Sequence, residues 1–266
     1  MRHRIGMLML VVFIACATGF FYGNRRIEEV GSDKTGDTEI AQGNGPENEA
    51  AEDEAAREKD AKEQDTEQTE GIASYLQGIQ SYEKGKEWSG PWCYEEAAGQ
   101  QFSQFGCGLC SMANIYSSLS GKECTPLEMY EHAQEVSSYD PSGGVGAIGW
   151  DAIRVTLQKT GFTCEVGRKP SSYEEFQDLA RESQCLMVLV SSDEDDTFWK
   201  DIPGHYVTLW LYDEQEDQVF LADSSGPKRN RKWIPLRDAY DALKTSSPQQ
   251  YLAVYSYEAS EDGWER

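Results

Sequence analysis

The chain has 266 residues, a net charge of −23 and three histidines. Acidity on this scale leaves no basic stripe to neutralise phosphates, so nucleic acid is excluded as a partner class. The charge is also uneven: residues 27–72 carry sixteen acids against four bases and no aromatic residue or cysteine, so about half of the net charge lies where no core can form.

Read in chain order, Arg2 and Arg4 precede an uncharged run from Ile5 to Asn24, closed by Arg25 and Arg26. Gly6 to Tyr22 is apolar and at the lower length limit for one membrane-crossing helix. Residues 1–26 are therefore expected to be a signal-anchor that holds the bulk of the chain outside a cell membrane. A cleaved signal peptide ending near Ala15-Cys16-Ala17, or lipidation of Cys16, are the alternatives. All three export the rest of the chain, which is expected to sit on the cell membrane as a single-pass protein or to be secreted. Residues 27–72 read as an acidic, disordered linker that cannot offset its ordering entropy. Residues 73–258 then form one domain of ordinary size, and 259–266 a tail.

Within the domain, Met112 to Leu119 continues a helix from the turn at Cys107, and Gly121 stops it. Thr125-Pro126-Leu127-Glu128 is a capping box with proline at the first helical position, which predicts a helix to about Val136. Ser142 to Gly146 is a loop. Ala152, Ile153 and Leu157 repeat at helical spacing between Trp150 and Thr160, with Gly161 as the stop. Ser172 opens another helix that ends near Glu182. The period then changes. Leu186 to Val190 is a short apolar strand, and Tyr206–Tyr212 and Gln218–Ala222 are strands of one hairpin. Lys232–Ile234 is a further short strand, Leu236–Leu243 a helix and Tyr251–Tyr257 a closing strand. A helical first half followed by an antiparallel sheet is an α+β fold with the two halves packed together.

Seven cysteines in an exported chain would ordinarily signal disulfides. Cys16 lies in the leader and Cys107 is reserved as a free thiol, which leaves Cys93, Cys110, Cys124, Cys164 and Cys185, an odd number. Cys185, at the head of an apolar run, is the candidate for a buried unpaired thiol. Cys107-Gly-Leu-Cys110 alone would serve as a redox or metal half-site. Three histidines make a closed zinc site unexpected, and a thioredoxin-type role needs a preceding strand that 100–105 does not suggest.

Cys107 follows Gly106 and begins a helix, where free backbone N–H groups and the positive dipole end favour a thiolate and an oxyanion. His3 lies in the leader, and His132 sits mid-helix as a packing or surface residue. His205, after the Pro203-Gly204 turn, opens a strand and is placed to act as a general base. The hairpin centre near Glu214 or Gln215 sets residues 223–225 opposite His205, and Asp223 is the first acid after its strand. Asp223 suits the role of orienting an imidazole, although an acid before Ser224-Ser225-Gly226 also suits a turn. The acidic loop Ser191–Pro203 either borders a cleft and favours basic substrates or is a solvated loop.

Gln101, five residues and then Cys107-Gly108, followed by Gly204-His205-Tyr206-Val207 and a strand ending in Asp223, resembles the papain-clan cysteine peptidases. Among these it is most similar to the bacterial double-glycine-leader (bacteriocin-processing) peptidases, cysteine peptidase family thirty-nine. The resemblance implies a papain-like fold over most of 101–257 and a Cys107–His205–Asp223 triad. Gln101, with Gln104 as substitute, would give its side-chain amide to the oxyanion hole. It implies a peptide or protein substrate, no cofactor and no metal. Relatives often carry proline in the turn, where Leu109 stands here, and Cys110 is a departure. A transpeptidase or amidase on the same triad, or a non-catalytic binding domain on the same fold, are the alternatives.

Overall fold

The computed structural model describes residues 68–78, 96–97, 100–143 and 146–265. The membrane segment, most of the acidic linker and Cys93 lie outside the described residues. Among the described residues no helix is long and apolar enough to cross a membrane.

A two-residue ladder of β1 (Glu96–Ala97) and β2 (Gln100–Gln101) leads into α1 (Phe102–Phe105) and α2 (Cys107–Ser120). α3 (Pro126–Val136) and α4 (Trp150–Lys159) follow, then β3 (Thr160–Gly167) and α5 (Tyr173–Glu182). The rest is β4 (Cys185–Val190), β5 (His205–Asp213), β6 (Gln218–Ala222), β7 (Lys232–Pro235), α6 (Leu236–Asp241) and β8 (Tyr251–Asp262). β3 to β8 form one antiparallel sheet of order β3-β8-β4-β5-β6-β7, separate from the β1–β2 ladder.

Successive side chains of a strand point to opposite faces, and this alternation divides the core in two. Cys185 and Met187 of β4, Tyr206 and Trp210 of β5, and Leu252 and Val254 of β8 pack with α2, α3 and α4. Leu186, Val188, Val207, Leu209 and Ala253 face the other way, against Phe176 of α5 and Leu236 and Ala239 of α6. The α+β composition holds, but the expected two packed halves become three layers with the sheet in the middle. The wholly apolar run Cys185–Val190 has this as its cause, since a strand covered on both faces has no polar side. α2 is buried over its first ten residues, Cys107 to Tyr116, which makes it the central helix of its layer.

Three boundaries differ from the sequence expectation. β3 was expected neither as a strand nor as a partner of β8. Gly161, with φ of +86°, turns the chain from α4 straight into it. A Cβ there would meet the Glu258 carbonyl oxygen at 2.6 Å, so only glycine lets β8 pass so close. The fold also begins before residue 73: Ile72 is buried, and Arg231 donates to the Ile72 and Thr69 carbonyls at 2.7 and 2.8 Å. Of the expected tail 259–266, residues 259–264 pack onto the domain. β8 runs to Asp262, whose carboxylate accepts from Tyr116 Oη at 2.9 Å, Tyr257 Oη at 2.9 Å and Lys122 Nζ at 2.8 Å. Trp264 then stacks on His132 with ring centroids 4.1 Å apart. His132 is accordingly a packing residue. The expected capping box is present, with Glu128 N–H donating to Thr125 Oγ1 and Thr125 N–H to Glu128 Oε2, and is worth about 1 kcal/mol.

Candidate active site

Gly106 separates α1 from α2 and leaves Cys107 as the first residue of α2, where backbone N–H groups lack helical partners. Gly108 is the second requirement. A Cβ on it would lie 2.5 Å from Ile148 Cγ2 and 3.2 Å from the Tyr206 ring, so the missing side chain lets β5 approach the start of α2. That approach brings His205, the first residue of β5, beside the Cys107 thiol, close enough to lower it, while Cys107 Sγ lies 4.0 Å from the Phe105 carbonyl oxygen. The register of the hairpin pairs Thr208 with Ala222. Asp223, one residue beyond β6, thus reaches back diagonally to His205, whose Nε2–H donates to Asp223 Oδ1 at 2.9 Å. Nδ1 is the ring nitrogen this leaves for Cys107.

Burial pushes the Cys107 thiol up, but the neighbouring His205 and the N–H groups of Tyr206 and Gly108 outweigh it and hold the thiol below its ordinary value of 9.0. His205 moves the other way: burial lowers it, yet the charge and hydrogen bond of Asp223 raise it to about 10. Asp223 is fully buried, which by itself raises a carboxyl. The His205 charge and hydrogen bond, with the Ser225 amide, hold it well below the usual carboxylate range. All three shifts favour a thiolate facing an imidazolium that is backed by a carboxylate.

Asp223 is held by more than its partner. Trp199 Nε1 donates to Oδ2 at 3.1 Å, the Ser225 N–H donates to Oδ1 at 2.8 Å, and Arg229 Nε lies 3.6 Å from Oδ2. The Asp223 N–H donates to Asn230 Oδ1 at 3.0 Å. Trp199 comes from the acidic loop 191–203 and is completely buried. That loop is therefore anchored into the site rather than merely solvated. Its acids have local work: Glu194 Oε1 accepts from Thr245, and Asp195 Oδ1 from the Thr197 amide. Sequence reasoning misses Trp199, whose signal is the aromatic pair Phe198-Trp199 in an otherwise polar loop.

Of the residues singled out in the sequence, the structure brings Cys107, His205 and Asp223 together. Gln101 stands at the end of β2, immediately before α1, and its backbone N–H donates to Gln104 Oε1 at 3.2 Å. Among the described residues no hydrogen bond joins Gln101 to Cys107 or His205. Cys110 packs inward, with no exposure, beside the Ser224 hydroxyl. Cys107, Cys110, Cys124, Cys164 and Cys185 are all buried free thiols, so Cys185 has the expected state and the other four share it.

These elements define a mixed helix and antiparallel-sheet protein with a cysteine, a histidine and an aspartate in one buried line. Among solved structures, the chain is similar to a protein described as a C39-like peptidase from Bacillus anthracis, at 16% identity and a TM-score of 0.38, covering 57% of this chain and 90% of that one. It is also similar to the N-terminal peptidase C39-like domain of a toxin secretion ATP-binding protein from Vibrio parahaemolyticus, at 17% identity and a TM-score of 0.35, covering 56% of this chain and 96% of that one. No protein-family model and no curated protein matches the chain.

Proposed function

We propose that the chain is a cysteine peptidase with Cys107 as nucleophile, His205 as its base and acid, and Asp223 as the residue that orients His205. The observation that carries this reading is the continuous line from the first residue of α2 through the His205 ring to the buried Asp223 carboxylate. The Cys107 thiolate attacks a peptide carbonyl carbon, and its electron pair moves to the carbonyl oxygen. N–H groups at the start of α2 stabilise that oxyanion, with Gln101 as the side-chain donor. As the carbon–nitrogen bond breaks, the His205 imidazolium protonates the leaving amine and an acyl-enzyme remains. His205 then takes a proton from water, which attacks the acyl carbon and frees Cys107. The peptide or protein substrate comes to a domain tethered at the cell surface by residues 1–26, a placement supported by the uncharged run Ile5–Asn24 between arginines.

The test is the pH profile of Cys107 alkylation by iodoacetamide in the full chain, mapped by mass spectrometry. A thiol held below its ordinary value beside an imidazolium that persists to about 10 predicts a thiolate–imidazolium pair at a pH where an ordinary thiol is still protonated. Cys107 labelling near pH 7 should therefore be faster than that of an ordinary thiol, and selective over the other cysteines, whose burial leaves them protonated. In His205→Ala the rate should fall at least about tenfold at pH 7 and climb only as pH approaches the ordinary thiol value. Cleavage of a random-sequence synthetic peptide library should disappear in Cys107→Ala. Fast, selective labelling with no cleavage of any peptide would leave a binding domain that keeps the triad's geometry. Slow labelling that His205→Ala does not change would end the catalytic reading.

A further inference from the structure

Cys110 takes no part in the chemistry above, yet it lies three residues beyond the nucleophile on the same helix and is wholly buried. Residues i and i+3 of an α-helix lie on one face with Cα atoms about 5 Å apart. That separation falls inside the range of about 4.4–6.8 Å that a disulfide bridges. Both side chains face the same end of the site: Cys107 meets His205, and Cys110 meets the hydroxyl of Ser224, the residue after Asp223. Cys164 and Cys185 offer a contrast. They flank Val254 from β3 and β4 on either side of β8. Two ladder spacings, about 9.6 Å, separate their backbones, and no disulfide closes across that gap.

We propose that Cys107 and Cys110 form a reversible disulfide that withdraws the nucleophile under peroxide stress. This regulation rests on the reading of Cys107 as a thiolate. The Cys107 thiolate attacks one oxygen of hydrogen peroxide, the O–O bond breaks, and the other oxygen leaves as hydroxide and is protonated to water. Cys107 is then a sulfenic acid. The Cys110 sulfur attacks the Cys107 sulfur, the S–O bond breaks and the S–S bond forms. The departing hydroxide and the Cys110 thiol proton make a second water. Two thiols and one peroxide thus become one disulfide and two waters, with both sulfurs oxidised and the peroxide reduced.

The order of events follows from the surroundings. Cys107 keeps slight exposure and a lowered thiol, whereas Cys110 is sealed in the core with its thiol pushed up by burial. Peroxide therefore reacts at Cys107, and Cys110 reacts only with the electrophile one turn away. Closing the bond turns the Cys107 sulfur from His205 towards α2, so the oxidised pair is inactive while being spared sulfinic acid.

The experiment treats the full chain with hydrogen peroxide and reads the 107–110 peptide by mass spectrometry, together with Cys107 labelling by iodoacetamide. Wild type should lose two hydrogens from that peptide and lose labelling, and dithiothreitol should restore both. In Cys110→Ser, Cys107 should gain two or more oxygens, with less than about a tenth of the labelling recovered by dithiothreitol. Cys110→Ala, which buries no hydroxyl, should behave as Cys110→Ser does. Wild type that gains oxygens as fast as Cys110→Ser, with no loss of two hydrogens, overturns the proposal. Slow Cys107 labelling before any peroxide is added overturns instead the thiolate reading on which it rests.

Discussion

At the scale of single residues, the site depends on how tightly Asp223 is held. A carboxylate in the core is costly unless its oxygens are satisfied. Here His205, the Ser225 amide and Trp199 share them, with Arg229 at the edge. Trp199→Phe keeps most of the ring volume but removes the Nε1 donor. Its expected cost is about 1–3 kcal/mol of stability, together with a several-fold slower Cys107 alkylation at pH 7, because Asp223 is freed to turn from His205. Denaturant unfolding and iodoacetamide kinetics on the same preparation separate the two effects; unchanged kinetics would make Trp199 purely a packing residue. The triad candidates were legible in the sequence because each carries a local mark: a glycine and a helix start at Cys107, a glycine and a strand start at His205, a strand end at Asp223. Trp199 was not, since it meets Asp223 only after the loop 191–203 folds back over 24 positions of chain.

At the scale of elements, the segment 69–77 acts as a strap joining the helical layer to the loop around Asp223. Its Tyr75 amide donates to Asn114 Oδ1 of α2, and its Ala73 amide to Ser118 Oγ. Gln77 does more, since its amide donates to the Ser224 carbonyl, its Oε1 accepts from Ser224 Oγ, and its Nε2 donates to the Ser103 carbonyl of α1. One side chain thus ties the element after Gln101 to the residue after Asp223. A chain beginning at residue 79 should lose these bonds and label Cys107 at least about tenfold more slowly than one beginning at 68, while Gln77→Ala should fall between them. Equal labelling of all three would reduce the strap to a surface decoration. The sequence concealed the strap because Ala73-Ser-Tyr-Leu-Gln77 has no regular period, and its hydrogen bonds go to side chains far along the chain. β3 was concealed differently. Phe162, Cys164 and Val166 do alternate with polar residues, but the run is short and bracketed by Gly161 and Gly167, which read as helix stop and loop.

At the scale of the whole molecule, the last strand is the keystone of the sheet although it is last in sequence. β8 lies between β3 and β4, so the chain places a helical layer and four further sheet strands before the strand that joins β3 to them can be added. Alternating apolar residues identify such a strand; they do not say which neighbours it will take, because pairing is decided by contacts far apart in sequence. The three layers and the continuation of β8 to Asp262 were therefore beyond the reach of local pattern. Asp262 tests this placement. Burial raises a carboxyl, but Lys122, the Trp264 amide, Tyr116 and Tyr257 all donate to it and hold it below its ordinary 3.8. A carboxyl lowered in the folded state stabilises the fold above its unfolded value, and that contribution is lost as pH falls through 3.8 and below. Asp262→Ala should cost about 2–3 kcal/mol near neutral pH, with a smaller difference from wild type at about pH 3 as the wild-type carboxyl protonates. Removing residues 259–266 takes Trp264 from His132 and Tyr116 as well, so it should lower the unfolding midpoint further than Asp262→Ala at neutral pH. Denaturant unfolding at the two pH values measures both. If the truncated chain unfolds at the wild-type midpoint, residues 259–266 add nothing to the stability of the fold.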